Sequence, residues 1–280
     1  MIDIGLFLSA GFDEPQNLLA ARLRALIDLG WQGGIVHLTE AQGQITDKVD
    51  AFQFAIDARS LGRADVDLNA ISFVTYRSSI LHKPGQLSAL LAKCADIGAT
   101  LLLQSPMAEA ATASPLLAAR GGHREAPFHL AESLLEFVAK EARYYGCRTH
   151  VYGISTPQEL AILQPYRAAE ALSTSVPMYV LDAGLDPMGY ELEGRPVPGL
   201  VDAGIRAVML DLAASGAIDA LTSHHHAWTD NAELDPLSAP AGVNIAPMYA
   251  GIAKRVADAV GPDRFKQLTV SQPAAIAANV

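Results

Sequence analysis

The sequence contains no apolar run of about 18 residues, the length that crosses a bilayer, and no charged-then-apolar leader follows Met1. A soluble, cytoplasmic protein with no membrane partner is the expectation. No Pro/Ser-rich linker or low-complexity stretch divides the 280 residues, so 1–280 is expected to form a single domain. Clustered lysine and arginine are also missing. With a formal charge of −10 the surface lacks the cationic field that nucleic-acid phosphates or an anionic membrane require, which leaves proteins and small molecules as partners. Only two cysteines occur, Cys94 and Cys147, both in apolar segments without ligand-type spacing. They read as buried thiols in a reducing compartment rather than a disulfide or a zinc site.

What is present is an alternation of short apolar runs with longer stretches of helical period, the pattern that builds a parallel sheet covered by helices. Seven runs read as strands: Ile2–Leu8, Gly34–Leu38, Leu68–Thr75, Thr100–Leu103, Thr149–Gly153, Ser173–Leu181 and Ile218–Thr222. Leu19, Leu23, Leu26 and Ile27 make one apolar stripe at helical spacing, and Leu87, Leu90, Leu91 and Cys94 make another. Pro84, Pro157 and Pro247 stand where helices start, and Gly30, Gly98 and Gly146 where they end. The first strand runs into Leu8-Ser9-Ala10-Gly11-Phe12 rather than a glycine-rich phosphate loop, which disfavours a doubly wound dinucleotide fold. A TIM-like (β/α) barrel, a fold that commonly takes about 250 residues, is the predicted architecture.

Barrel function sits at the carboxyl ends of the strands. The residues that fall there are Gly5, Phe7 and Ser9, Thr39 and Glu40, Thr75 to Arg77, Gln104 and Ser105, Gly153 to Thr156, Asp182, and His224 to His226. His224 and His226 share one face of an extended segment, but a zinc centre needs three or four ligands, and no HxH or HExxH spacing completes the set from the other histidines. No metal and no other cofactor is therefore expected. Ser9, Ser105 and Ser223 lack an evident base and no G-x-S-x-G elbow occurs, so they read as hydrogen-bonding serines. Asp3, inside the first strand, reads as a structural carboxylate that must be paired.

The order of segments resembles the dihydroorotase and allantoinase family of cyclic amidohydrolases. The stretch Cys147 to Thr156 resembles the family strand RLHIAHVST, and Gly216 to His225 resembles GTIDVIATDH. Ala239 to Val243 is similar to the APFGIPG loop, Val270 to Ile276 to NPARIFGL, Ile2 to Ser9 to DxHxHLR, and Gly30 to Val36 to GFTTVVD. The resemblance spans nearly the whole chain in the right order. It implies an α/β barrel with zinc-dependent chemistry at its mouth.

The departures fall on the chemistry. The resemblance sets the two first-strand histidine ligands on Gly5 and Phe7, the substrate-binding arginine on Ser9 and the substrate-contacting asparagine on Thr39. It sets the histidine of the VHxED strand on Gln104, that of HIAHVST on Gly153, and the catalytic aspartate of the TDH motif on His224. Glycine and phenylalanine offer zinc no donor atom. The family's flanking β-sandwich has no counterpart, and between Tyr76 and Gln104 there is room for one helix where the family has a further strand–helix unit. The expected fold is thus a seven-stranded or incomplete barrel without the sandwich, acting as a non-catalytic assembly or regulatory subunit that self-associates or binds a protein partner. Inactive dihydroorotase-like subunits associated with aspartate transcarbamoylase are the family precedent. The alternatives are a metal-independent enzyme using His224, His226, Asp182 or Glu40 for acid–base chemistry, and a small-molecule binding module. In either, Arg77, Gln104, Thr39 and His225 are the candidates for contacting a substrate.

Overall fold

Short runs of β-branched and large apolar residues set the strands, and their period of two sorts side chains between two buried faces. The computed structural model describes residues 1–6, 23–24, 26–28, 30–38, 50–63, 66–77, 84–107, 109–110, 114, 119, 122–123, 125–167, 171–182, 191–192, 195–196, 203–222 and 246–278. Its strands are β1 (Ile2–Leu6), β2 (Gly33–His37), β3 (Phe52–Asp57), β4 (Phe73–Arg77), β5 (Thr100–Gln104), β6 (Thr149–Tyr152), β7 (Leu172–Pro177), the hairpin β8 (Glu191–Leu192) and β9 (Arg195–Pro196), and β10 (Ala220–Thr222). β1 to β7 form one continuous parallel ladder in chain order, and β10 extends it by pairing with β7. Cα atoms of β1 and β10 come within 8 Å of each other, yet no ladder joins them among the described residues. The wall curls into an incomplete TIM-like barrel.

One face of the wall is the barrel interior, where Ile35, Ala55, Phe73, Leu102, Tyr152 and Ala220 cluster. The residues between them, including Val36, Leu103, Val151 and Leu221, turn outward onto the helices. These helices are α1 (Pro84–Asp96), α2 (Ala126–Tyr145), α3 (Pro157–Arg167), α4 (Met178–Leu181), α5 (Ala203–Ser215), α6 (Ala246–Val260), α7 (Pro262–Lys266) and, after a π turn, α8 (Gln272–Ala278). On α1 the buried positions are Leu87, Leu91 and Cys94, spaced by four and three so that they share one face. Each fully buried leucine there contributes about 2 kcal/mol of transfer free energy. The α8 helix closes the amino end of the barrel: Ile276 and Ala277 pack on the interior cluster, and Gln53 Nε2 donates to the Ala277 carbonyl at 3.3 Å.

All seven expected strands are present, and Phe52–Asp57 adds one that the apolar pattern does not announce. Its burial alternates imperfectly, and Gln53 and Asp57 interrupt the apolar run. The pairing of β2 with β3 depends on a glycine: at Gly33, φ is +153°, and a Cβ would collide with the Ala51 carbonyl oxygen. Several expected strands are shorter than the sequence suggests: β10 begins at Ala220 rather than Ile218, and two others differ by more. Leu68–Ala70 is a 3₁₀ turn capped by Asp67, whose carboxylate accepts from the Asn69 N–H, and β4 begins only at Phe73. After Pro177 the chain turns into α4 rather than continuing β7 to Leu181. Of the first apolar stripe, Leu23 and Leu26 are buried and Ile27 is exposed, while Leu19 lies outside the described residues. Cys94 and Cys147, distant in sequence, pack in one buried cluster as free thiols. A hydrogen bond with the Cys147 thiol, together with burial, pushes the Cys94 thiol up.

Candidate functional site

Polar side chains enter the barrel interior toward the carboxyl ends of the strands. His37, at the end of β2, places Nδ1 2.7 Å from Thr75 Oγ1 on β4, and both residues are buried. The ring of Tyr152, at the end of β6, meets the His37 ring edge-to-face with centroids 5.0 Å apart. Gln104, half-buried at the end of β5, stands in register between Arg77 and Tyr152. Across the barrel Thr222 ends β10 two residues beyond the interior residue Ala220, and so faces the same side. Its hydroxyl is fully buried and has no hydrogen-bond partner among the described residues. Behind this layer Gly153 leaves β6 with φ +77°, the left-handed conformation that lets the Ile154 N–H reach the Ser175 carbonyl.

One layer deeper, His150 is fully buried between two hydroxyls of β7: Nδ1 lies 2.8 Å from Ser173 Oγ and Nε2 lies 2.9 Å from Ser175 Oγ. A neutral imidazole has one donor and one acceptor nitrogen, and a serine hydroxyl can serve either. The neutral ring is therefore fully satisfied. Burial holds its pKa down at about 4, with the nearby Asp219 charge pulling the other way. On the outer face, Asp219 is held by the Arg167 guanidinium at 2.5 Å and by the Thr174 N–H at 2.8 Å.

Behind the rim, Glu159 gathers the segments that follow β5 and β6. The sequence Thr156-Pro157-Gln158-Glu159 is a capping box: the Thr156 N–H donates to Glu159 Oε2 at 2.8 Å and the Glu159 N–H to Thr156 Oγ1 at 3.4 Å. The same carboxylate accepts from the Ser155 N–H at 2.9 Å and from the Ser105 hydroxyl. Burial pushes the Glu159 carboxyl above its usual range, while these hydrogen bonds pull it down. Replacing it with glutamine removes the charge that strengthens these hydrogen bonds and forces the Ser105 hydroxyl to turn from donor to acceptor. Glu159→Gln is expected to lower stability by about 2 kcal/mol, read as a shift of the urea midpoint at unchanged m-value.

Among the candidates drawn from the sequence, Gln104 faces the interior beside Tyr152, and Arg77 ends the neighbouring strand. Asp182, just past α4, is fully buried and bound by Arg255, with Nε to Oδ1 and Nη2 to Oδ2 both at 2.7 Å. Both of its oxygens are thus engaged. Thr39, Glu40, His224, His225 and His226 lie outside the described residues, as do Ser9 and Ser223. His150, Thr222 and Glu159 are additional polar positions. The T-x-x-E spacing marks Glu159 in the sequence. The alternation Ser173-Thr174-Ser175 beside a strand histidine is a fainter sign of the His150 pocket.

The resemblance implies zinc, which needs three or four His, Cys or carboxylate donors around one point. Among the described residues no three such side chains converge. At the mouth they offer one imidazole, His37, already tied to Thr75, beside an amide, a phenol and a hydroxyl. The described residues alone do not complete a zinc site, and Glu40 and His224 to His226 lie outside them.

No family model matches the sequence, and comparison with curated proteins finds no match. Solved structures do match. A D-hydantoinase superposes with a TM-score of 0.67 over 98% of this chain and 69% of its own, at 12% identity. A D-hydantoinase (dihydropyrimidinase) from Thermus sp. gives 0.67 over 98% and 70%, at 14% identity. The fold is that of the hydantoinase barrels. The inactive dihydroorotase-like domain of the Chaetomium thermophilum CAD-like multifunctional protein shares it too, with a TM-score of 0.54 over 98% of this chain and 78% of that one, at 14% identity. Within this hydantoinase-type barrel, His37, Gln104, Tyr152 and Thr222 lie toward the carboxyl ends of the strands. Among the described residues no helix is long and apolar enough to cross a membrane.

Proposed function

We propose that the chain is a dihydroorotase-like barrel of the amidohydrolase superfamily that has lost its metal site and acts, without catalysis of its own, as an assembly or regulatory subunit. The carrying observation is the makeup of the mouth. Gln104 ends β5 and Gly153 follows β6 where the resemblance sets metal-binding histidines, and His37 spends its Nδ1 on Thr75. Gly5 in β1 extends the pattern. The fold match to an inactive dihydroorotase-like domain supports a barrel kept for something other than turnover. In this reading residues 1–280 are one barrel domain working in the cytoplasm, and the mouth carries neither metal nor cofactor.

No ladder joins β1 and β10 among the described residues, and a barrel left incomplete in this way fits a chain that works in association with another. Light scattering at micromolar concentration, alone and with aspartate transcarbamoylase from the same cell, is expected to show a dimer or a joint complex. A strict monomer that binds no transcarbamoylase would overturn the assembly role. A second reading, a small-molecule binding module, draws on the buried and unpartnered Thr222 hydroxyl, which a ligand in the interior would satisfy. There Gln104 with Arg77, Thr39 and His225 would supply the remaining contacts.

A further inference from the structure

At the amino end of the barrel, away from the mouth, a hollow of about 610 Å³ opens between α3, α5, the lead-in to β10 and α8. That volume lies in the range of small-molecule sites. Its lining combines the apolar Leu172 and Ile276 with Gln164, Arg167, Asp219 and Gln272.

Two amides in this lining accept from arginines: the exposed Gln164 and the half-buried Gln272, which shares its arginine with Gln267. Arg167 Nη1 donates to Gln164 Oε1 at 3.2 Å, and Arg264 Nη1 donates to Gln272 Oε1 at 3.3 Å. A guanidinium has no acceptor, so each glutamine must turn its oxygen to the arginine and keep its NH₂ for something else. No acceptor among the described residues takes either NH₂ group. Charge points the same way. Arg264 lies close enough to feel both Asp219 and Arg167, so two guanidiniums stand against one carboxylate in a chain of net charge −10. The hollow therefore offers two amide donors with no protein acceptor among the described residues, beside the Arg167–Asp219 pair and an apolar wall.

We propose that this hollow binds a small organic acid, its carboxylate between the Gln164 and Gln272 amides and its apolar body against Leu172 and Ile276. The site joins α8 to α3 and to the start of β7, so an occupant braces the helix that closes the barrel. The inference is independent of the assembly role and of the chemistry at the mouth.

Benzoate is the probe and benzamide its neutral counterpart, titrated into the full-length protein by calorimetry and by NMR of the histidine rings. Ser173, part of the lining, holds His150 Nδ1 at 2.8 Å, so an occupied hollow reports on the His150 ring. The expected result is saturable benzoate binding with a Kd on the order of 1 mM or tighter, as suits a fragment-sized ligand. The His150 resonances should shift with it, and benzamide should bind about tenfold more weakly. Gln164→Leu with Gln272→Leu should weaken benzoate by about tenfold or more. Ala275→Trp, which fills the hollow and keeps both amides, should abolish binding while the unfolding midpoint holds. Absence of saturable binding, equal affinity for benzamide, an unmoved His150 ring, or unchanged affinity in both variants would each overturn the proposal.

Discussion

Lowering the pH from 7 toward 4 is expected to remove about 3 kcal/mol of folding stability through His150 alone, and His150→Gln should abolish that component. The unfolded imidazole takes up its proton near 6.5, whereas burial between Ser173 and Ser175 delays uptake in the folded chain to about 4. Within that window the unfolded state holds more protons. Stability is therefore complete above 6.5 and falls as the pH drops through the window. Glutamine keeps a donor and an acceptor for the two serines but does not titrate. Urea unfolding of both proteins at pH 7 and at pH 4.5 checks this. Equal losses in the two would show that His150 carries no linkage. Asp219 tempers the effect, since its charge favours the imidazolium, and it is itself held by Arg167.

Arg255→Met should cost about 3–5 kcal/mol, because it takes the guanidinium from both oxygens of a fully buried carboxylate at Asp182. The guanidinium is half exposed while the carboxylate is not, so the penalty lies almost wholly on the acid left behind. Asp182→Asn should cost less, since the arginine it frees can turn to water. The double variant should recover part of the Arg255→Met loss. Chemical denaturation of the four proteins gives the coupling directly; strictly additive losses would mean that the pair does not act as one unit. Asp182 thus joins the end of α4 to α6, a role that follows from its place in the fold whatever happens at the mouth.

The sequence made the barrel legible because its strands are short apolar runs set off by glycine and proline, and the structure has a strand at each predicted run. Phe52–Asp57 escaped because Gln53 faces the barrel end, where it bonds Ala277, and Asp57 caps the following turn, so polar residues break its run. The partners of buried polar groups were harder to foresee. Asp182 reads as a rim carboxylate, and nothing local in the sequence announces Arg255, 73 residues away, as its counter-ion. His150 reads as one strand histidine among several until β7 lays Ser173 and Ser175 against both of its nitrogens. Local chemistry such as the Thr156–Glu159 capping box is written in four consecutive residues, whereas pairings across the ladder depend on register.

In the proposed function the barrel mouth carries out no amide hydrolysis. The direct measurement is the interconversion of carbamoyl-aspartate and dihydroorotate by the purified chain at saturating substrate, with zinc supplied. No turnover above that of a mock purification is expected, because the resemblance sets metal-binding histidines on Gly5, Gln104 and Gly153 and the substrate-binding arginine on Ser9. Turnover that disappears in His224→Ala would contradict it, since a contaminating host enzyme would not respond to that substitution.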